Sequence, residues 1–87
     1  MQHSSHVEIS NRLKRCDGHL RKVIAMIEDG RPCLDLAQQL HAVERAVCAA
    51  KKALIEDHID HCLGSPNPDP KAHAAMIAEL REITRYL

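Results

Sequence analysis

From Cys33 to Leu63 the chain carries no glycine and no proline. Leu36, Leu40, Val43, Val47, Ala50 and Leu54 recur through this run at 4-3-4-3-4 spacing, the seam of a helix that packs along its length on another helix. The run therefore predicts one helix over about 32–62. It is long for a globular helix and suits a bundle or a coiled coil. Such a helix also keeps its ends apart. Cys33 precedes His58 and Cys62 by 25 and 29 residues, so at a rise of ~1.5 Å per residue they are separated by roughly 38–44 Å.

A second seam lies upstream. Ile9, Leu13, Cys16, Leu20, Val23 and Ile27 repeat the same spacing and predict a first helix over about 6–29. Ser5-His6-Val7-Glu8 has the form of a capping box at its start. Gly30-Arg31-Pro32 ends it, with glycine suited to a left-handed position and proline to the first turn of the next helix. Gly64-Ser65-Pro66-Asn67-Pro68-Asp69-Pro70 is rich in breakers and predicts a loop. Asp69 as N-cap and Pro70 at N1 start a short third helix over about 70–86. The expected fold is all-α, a single domain over 1–87 with two long helices and one short one.

The 87 residues include no Trp, no Phe and one Tyr, so Leu, Ile, Val, Ala and Met must fill the core. A domain of this size buries only roughly 60–65% of its unfolded surface, and self-association is a common remedy. The first thirty residues hold no apolar signal-peptide core. No run approaches the ~18 apolar residues that span a bilayer. A cytoplasmic protein is expected, with no membrane partner. In that compartment Cys16, Cys33, Cys48 and Cys62 are thiols or metal ligands rather than a disulfide framework.

Net charge is zero with histidine neutral, so total charge does not point to nucleic acid. Its distribution says more. Arg12, Lys14, Arg15, Arg21 and Lys22 stand against Asp17 alone, and Lys51 and Lys52 form a second cluster. Taken alone, these clusters also fit an ordinary solvated helix face.

His58 and Cys62 are four residues apart, on one face of the helix, and two such side chains can share an ion. Cys33 cannot join them within one unbroken helix. An antiparallel pair of these helices from two chains would bring Cys33 of one subunit to His58 and Cys62 of the other, with two equivalent sites by symmetry. Two thiolates and an imidazole suit Cu(I) or Zn(II), and imidazole also suits Ni(II). The competing reading is that these cysteines are small buried hydrophobes. Cys16, on the first seam, and Cys48, beside the second, are assigned that structural role. His61 is expected to face solvent, and His19, His41 and His73 to lie at the surface or beside a seam. No nucleophile–base pair, phosphate loop or catalytic metal triad is evident, so an enzyme is not expected.

The segments "RLKRCDGHL", "GRPCLDLAQQLHAVERAV" and "DHIDHC" together resemble the CsoR/RcnR family of bacterial metal-sensing repressors. The likeness spans about Asn11 to Cys62, with a weaker echo in "AELREITRYL". It implies an antiparallel helical dimer that assembles into a disc-shaped tetramer. It implies operator DNA as partner, bound without a helix-turn-helix by a basic face and released when the inducer binds. On that face Arg12 and Lys52 match family basic positions, with Lys14, Arg15 and Lys51 beside them. Cys33, His58 and Cys62 match the Cys-His-Cys set of the Cu(I) branch. Glu79 matches an acidic position behind that set, but Pro32 stands where that branch has Tyr. A Ni(II) or Co(II) branch adds an N-terminal histidine, which His3 or His6 would have to supply by folding back. A persulfide-sensing branch uses the same two cysteines, yet usually lacks the histidine found here as His58. A formaldehyde-sensing branch relies on an N-terminal proline, whereas residue 2 is Gln.

Overall fold

The run without glycine or proline folds as one uninterrupted helix. The computed structural model, which describes residues 4–64 and 69–87, contains α1 (Ser4–Glu28), α2 (Cys33–Gly64) and α3 (Pro70–Ile83), followed by a 3-10 turn, Thr84–Tyr86. There is no strand among the described residues. The all-α class with two long helices and one shorter helix is as the seams predicted. The third helix tightens into the 3-10 turn for its last residues, and the expected loop falls largely on residues 65–68, outside the described residues.

The helix ends follow local chemistry, with two differences from expectation. Gly30 takes a φ of 76°. Its N–H donates to Ile27 O and that of Arg31 to Met26 O, both at 3.1 Å. This is the paired bonding of a Schellman stop, in which a left-handed glycine satisfies carbonyls that the helix leaves open. Pro32 precedes α2 rather than opening it: its carbonyl accepts from Leu36 N at 3.1 Å. At α3 the Asp69 carboxylate accepts from Lys71 N at 3.1 Å, and Pro70 is the first helical residue. The capping box at Ser5 does not form. The helix already includes Ser4, Ser5 Oγ is buried without a hydrogen-bond partner among the described residues, and Glu8 pairs instead with Arg12 at 3.4 Å.

The chain divides into two compact units, Met1–Lys51 and Lys52–Leu87. In the first, α1 and the leading part of α2 form an antiparallel hairpin. Arg12, Arg15, Cys16 and His19 share a groove with Ala46 and Ala49, and Lys22 and Met26 share another with Arg31, Asp35, Gln38 and Gln39. Its buried residues are Ile9, Cys16 and Val23 on α1, seven apart, with Val43 and Ala50 on α2, also seven apart. Each predicted seam is thus split. One half is inside the hairpin. The other half, Leu13, Leu20 and Ile27 on α1 and Leu40, Val47 and Leu54 on α2, is left 41–52% exposed. In the second unit Ile55 and Cys62 are buried, and α3 carries a half-buried stripe of Ala72, Met76, Leu80 and Ile83. No helix among the described residues is long and apolar enough to cross a membrane.

Candidate metal centre

Helical spacing brings one pair of the expected ligands together. His58 and Cys62 lie one turn apart near the end of α2, with Cys62 Sγ 3.6 Å from His58 Nε2. His58 is half-buried, and Cys62 is only 3% exposed. The pair makes a thiol–imidazole hydrogen bond, and its spacing also fits a shared ion. Were an ion bound here, the Cys62 thiolate and the His58 imidazole would be the two donors that this helix end supplies.

The third expected ligand is elsewhere. Cys33 is the first residue of α2 and is exposed, whereas His58 and Cys62 belong to the last two turns of the same unbroken element. Among the described residues no three His, Cys, Asp or Glu side chains of the single chain gather in a way that could hold a metal. His6 is half-buried on α1, Glu79 is exposed on α3, and His3 lies outside the described residues. Cys16 is buried, as its seam position predicts, but Cys48 is exposed. The structural role assigned to Cys48 is therefore corrected: its position beside the seam turns it away from the core of the hairpin. His61, expected to face solvent, is half-buried.

The basic face divides by azimuth. Arg12, half-buried, and Arg15, exposed, line a groove between α1 and α2. Lys14 is exposed on α1 but sits about 100° round the helix from Arg15 and about 200° from Arg12. Lys51 and Lys52 are both exposed on α2. Reasoning from charge did not include His19, which was expected at the surface or beside a seam and is half-buried beside the α1 seam. Its Nε2 lies 2.7 Å from Gln39 Oε1, joining α1 to α2, and its ring lines the groove beside Arg12 and Arg15. The available signal was its place seven residues after Arg12 and three after Cys16, on the same helical face.

Residues 5–86 match the family model described as "metal-sensitive transcriptional repressor". The copper-sensing transcriptional repressor CsoR of Bacillus subtilis (strain 168) is 41% identical over 56 residues, covering 64% of this chain and 55% of that protein. CsoR of Mycobacterium ulcerans (strain Agy99) is 33% identical over 76 residues, covering 87% of this chain and 64% of that protein. The copper-sensing repressor RicR of Mycobacterium tuberculosis (strain ATCC 25618 / H37Rv) is 32% identical over 78 residues, 83% of this chain and 81% of its own. The chain thus spans less than two thirds of the length of the two CsoR relatives. With a match along nearly its whole length, the chain belongs to the CsoR/RcnR family of metal-sensitive transcriptional repressors, a family of regulators and not of enzymes.

Proposed function

We propose that this protein is a cytoplasmic Cu(I)-responsive repressor that binds operator DNA in its metal-free form and lets go when Cu(I) is bound. The observation that carries the proposal is the Cys62–His58 pair at 3.6 Å at one end of an unbroken helix whose other end presents an exposed Cys33. Antiparallel pairing of α2 between two copies would set Cys33 beside the partner subunit's His58 and the partner subunit's Cys62. The donor set of two thiolates and one imidazole is soft and suits Cu(I), and the relatives named above are copper sensors.

The half-seams left exposed on α1 and α2 are the surface on which a second copy would pack, and the dimers would pair further into a tetramer. Bound at both of its ends, Cu(I) would supply a fixed tie between subunits. Cys33 holds the start of one α2, and His58 with Cys62 holds the end of the other. The angle between the two hairpins is then set, and so is the spacing of the basic faces built on Arg12, Lys14, Arg15, Lys51 and Lys52. DNA and metal favour different quaternary arrangements, which makes the coupling reciprocal.

The test uses a duplex selected by the metal-free protein from a random library, followed by anaerobic titration with Cu(I) while DNA anisotropy is read. One Cu(I) per subunit and a fall in DNA affinity of about tenfold or more are expected, within the usual range of such couplings. Cys33→Ala should bind the duplex as tightly as the unaltered chain and fail to release it. Normal release by Cys33→Ala would overturn the site. A tighter and more effective response to Ni(II) than to Cu(I) would overturn the metal.

A further inference from the structure

We infer that Cys16 is a thiol-modification site, reached through the groove between α1 and α2, that takes an anionic low-molecular-weight disulfide. The groove has a volume of about 410 Å³ and is lined by Arg12, Arg15, Cys16, His19, Ala46 and Ala49. Small-molecule sites are commonly of roughly 300–1,000 Å³. Two independent features mark this one. The first is charge: Arg12 and Arg15 bring two guanidiniums, and no carboxylate is among the lining residues. Glu8 does pair with Arg12 at 3.4 Å, but an exposed pair of this kind is weak and readily exchanged. The second is the thiol. Cys16 is a free cysteine, 8% exposed, and it borders open space where it lines this groove. Across from it α2 offers only Ala46 and Ala49, small enough to leave room for an adduct. His19 Nε2, 2.7 Å from Gln39 Oε1, ties the two walls together. None of the half-exposed seam leucines, isoleucines or valines lines the groove, so packing through those residues does not require filling it.

Charge selects the reagent. Cys16 and His19 are three residues apart and could offer sulfur and nitrogen to a cation. Two guanidiniums beside them oppose one, and no third His, Cys, Asp or Glu gathers with them among the described residues. An anion is drawn in instead, and a carboxylate suits the guanidinium fork. The reaction is thiol–disulfide exchange. Cys16 gives its proton to solvent, and its sulfur attacks one sulfur of the reagent. The reagent's S–S bond breaks as the new one forms. The departing half leaves as a thiolate and takes up a proton from solvent. The Cys16 sulfur is oxidised and the departing sulfur reduced, with no further oxidant. The adduct leaves its carboxylates beside Arg12 and Arg15, on the face that the repressor reading assigns to DNA. Modification should therefore weaken DNA binding without any metal. That consequence rests on the repressor reading, whereas the modification does not.

Two arms test the inference. In the first, the full metal-free chain is treated at low ionic strength with glutathione disulfide, which is anionic, or with cystamine, which is cationic. Mass spectrometry of peptides reads the rate at Cys16. Glutathione disulfide should react faster by about tenfold or more, the low end of the gain that a charged cleft gives. Arg15→Gln and added salt should each narrow that ratio. A Cys16 that stays unmodified in the folded chain, or that reacts equally fast with both reagents, overturns the inference. In the second arm, DNA anisotropy compares treated and untreated protein. Affinity should fall about tenfold or more as charged contacts to DNA are lost, and dithiothreitol should restore it. Cys16→Val should keep its affinity through the same treatment. An equal fall in Cys16→Val assigns the effect to the other thiols and overturns the link to DNA. If the chain binds no DNA, the repressor reading fails and the first arm still decides the site.

Discussion

Residues of one type take different roles here according to where the helices put them. The four cysteines divide into two exposed, Cys33 and Cys48, and two buried, Cys16 and Cys62. Thiolate access governs alkylation, so iodoacetamide should modify Cys33 and Cys48 of the metal-free protein first, as read by mass spectrometry of peptides. Prior loading with Cu(I) should then protect Cys33 and leave Cys48 reactive. Equal protection of Cys48 would count against the proposed ligand set. Burial also makes Val23, fully inaccessible in the first unit, the most sensitive point of that core. Val23→Ala removes two buried methyl groups and should cost about 2 kcal/mol, measured by the midpoint of urea unfolding at constant slope.

The stop after α1 depends on one backbone conformation. Gly30 at φ 76° places its own N–H and that of Arg31 on Ile27 and Met26. Gly30→Ala should cost about 1 kcal/mol through left-handed strain, and Asp69→Ala about the same through loss of the α3 cap, each seen as a lower unfolding midpoint. At this scale the sequence was informative where a single residue type determines the geometry. Glycine and proline located the α1–α2 turn and the start of α3 to within a residue or two. Serine at the N-terminus did not determine it, because a capping box only competes with further helical turns, and here the helix continues through Ser4 and Ser5. The same distinction holds for the candidate site. The i, i+4 rule alone brings His58 and Cys62 together. Cys33 is a ligand candidate whose partner no spacing along one chain can supply. The pairing of His19 with Gln39 joins residues twenty apart, a contact that spacing within one helix does not indicate and that requires the hairpin to be folded first.

A hairpin that buries only half of each seam is unfinished as a folding unit. Leu40, Val47 and Leu54 recur every seven residues along α2, each 43% exposed, and Leu13 and Leu20 do the same on α1 at 43% and 41%. Sustained heptad exposure is the pattern of a face that packs on another helix, and the absence of large aromatics leaves few other means of enlarging the core. Self-association is therefore expected to supply the missing half, with stability that rises with protein concentration. Val47→Glu sets a charge in the middle of that face without touching the buried residues Val43 and Ala50. Sedimentation velocity should show the unaltered chain as a dimer or larger and Val47→Glu shifted toward monomer. Because the proposed centre draws Cys33 from one copy and His58 with Cys62 from the other, the same variant should also lose tight Cu(I) binding even though it keeps all three ligands. A Val47→Glu chain that is monomeric yet binds Cu(I) as tightly as the unaltered protein would show that the centre forms within one chain and does not need Cys33 from a second copy.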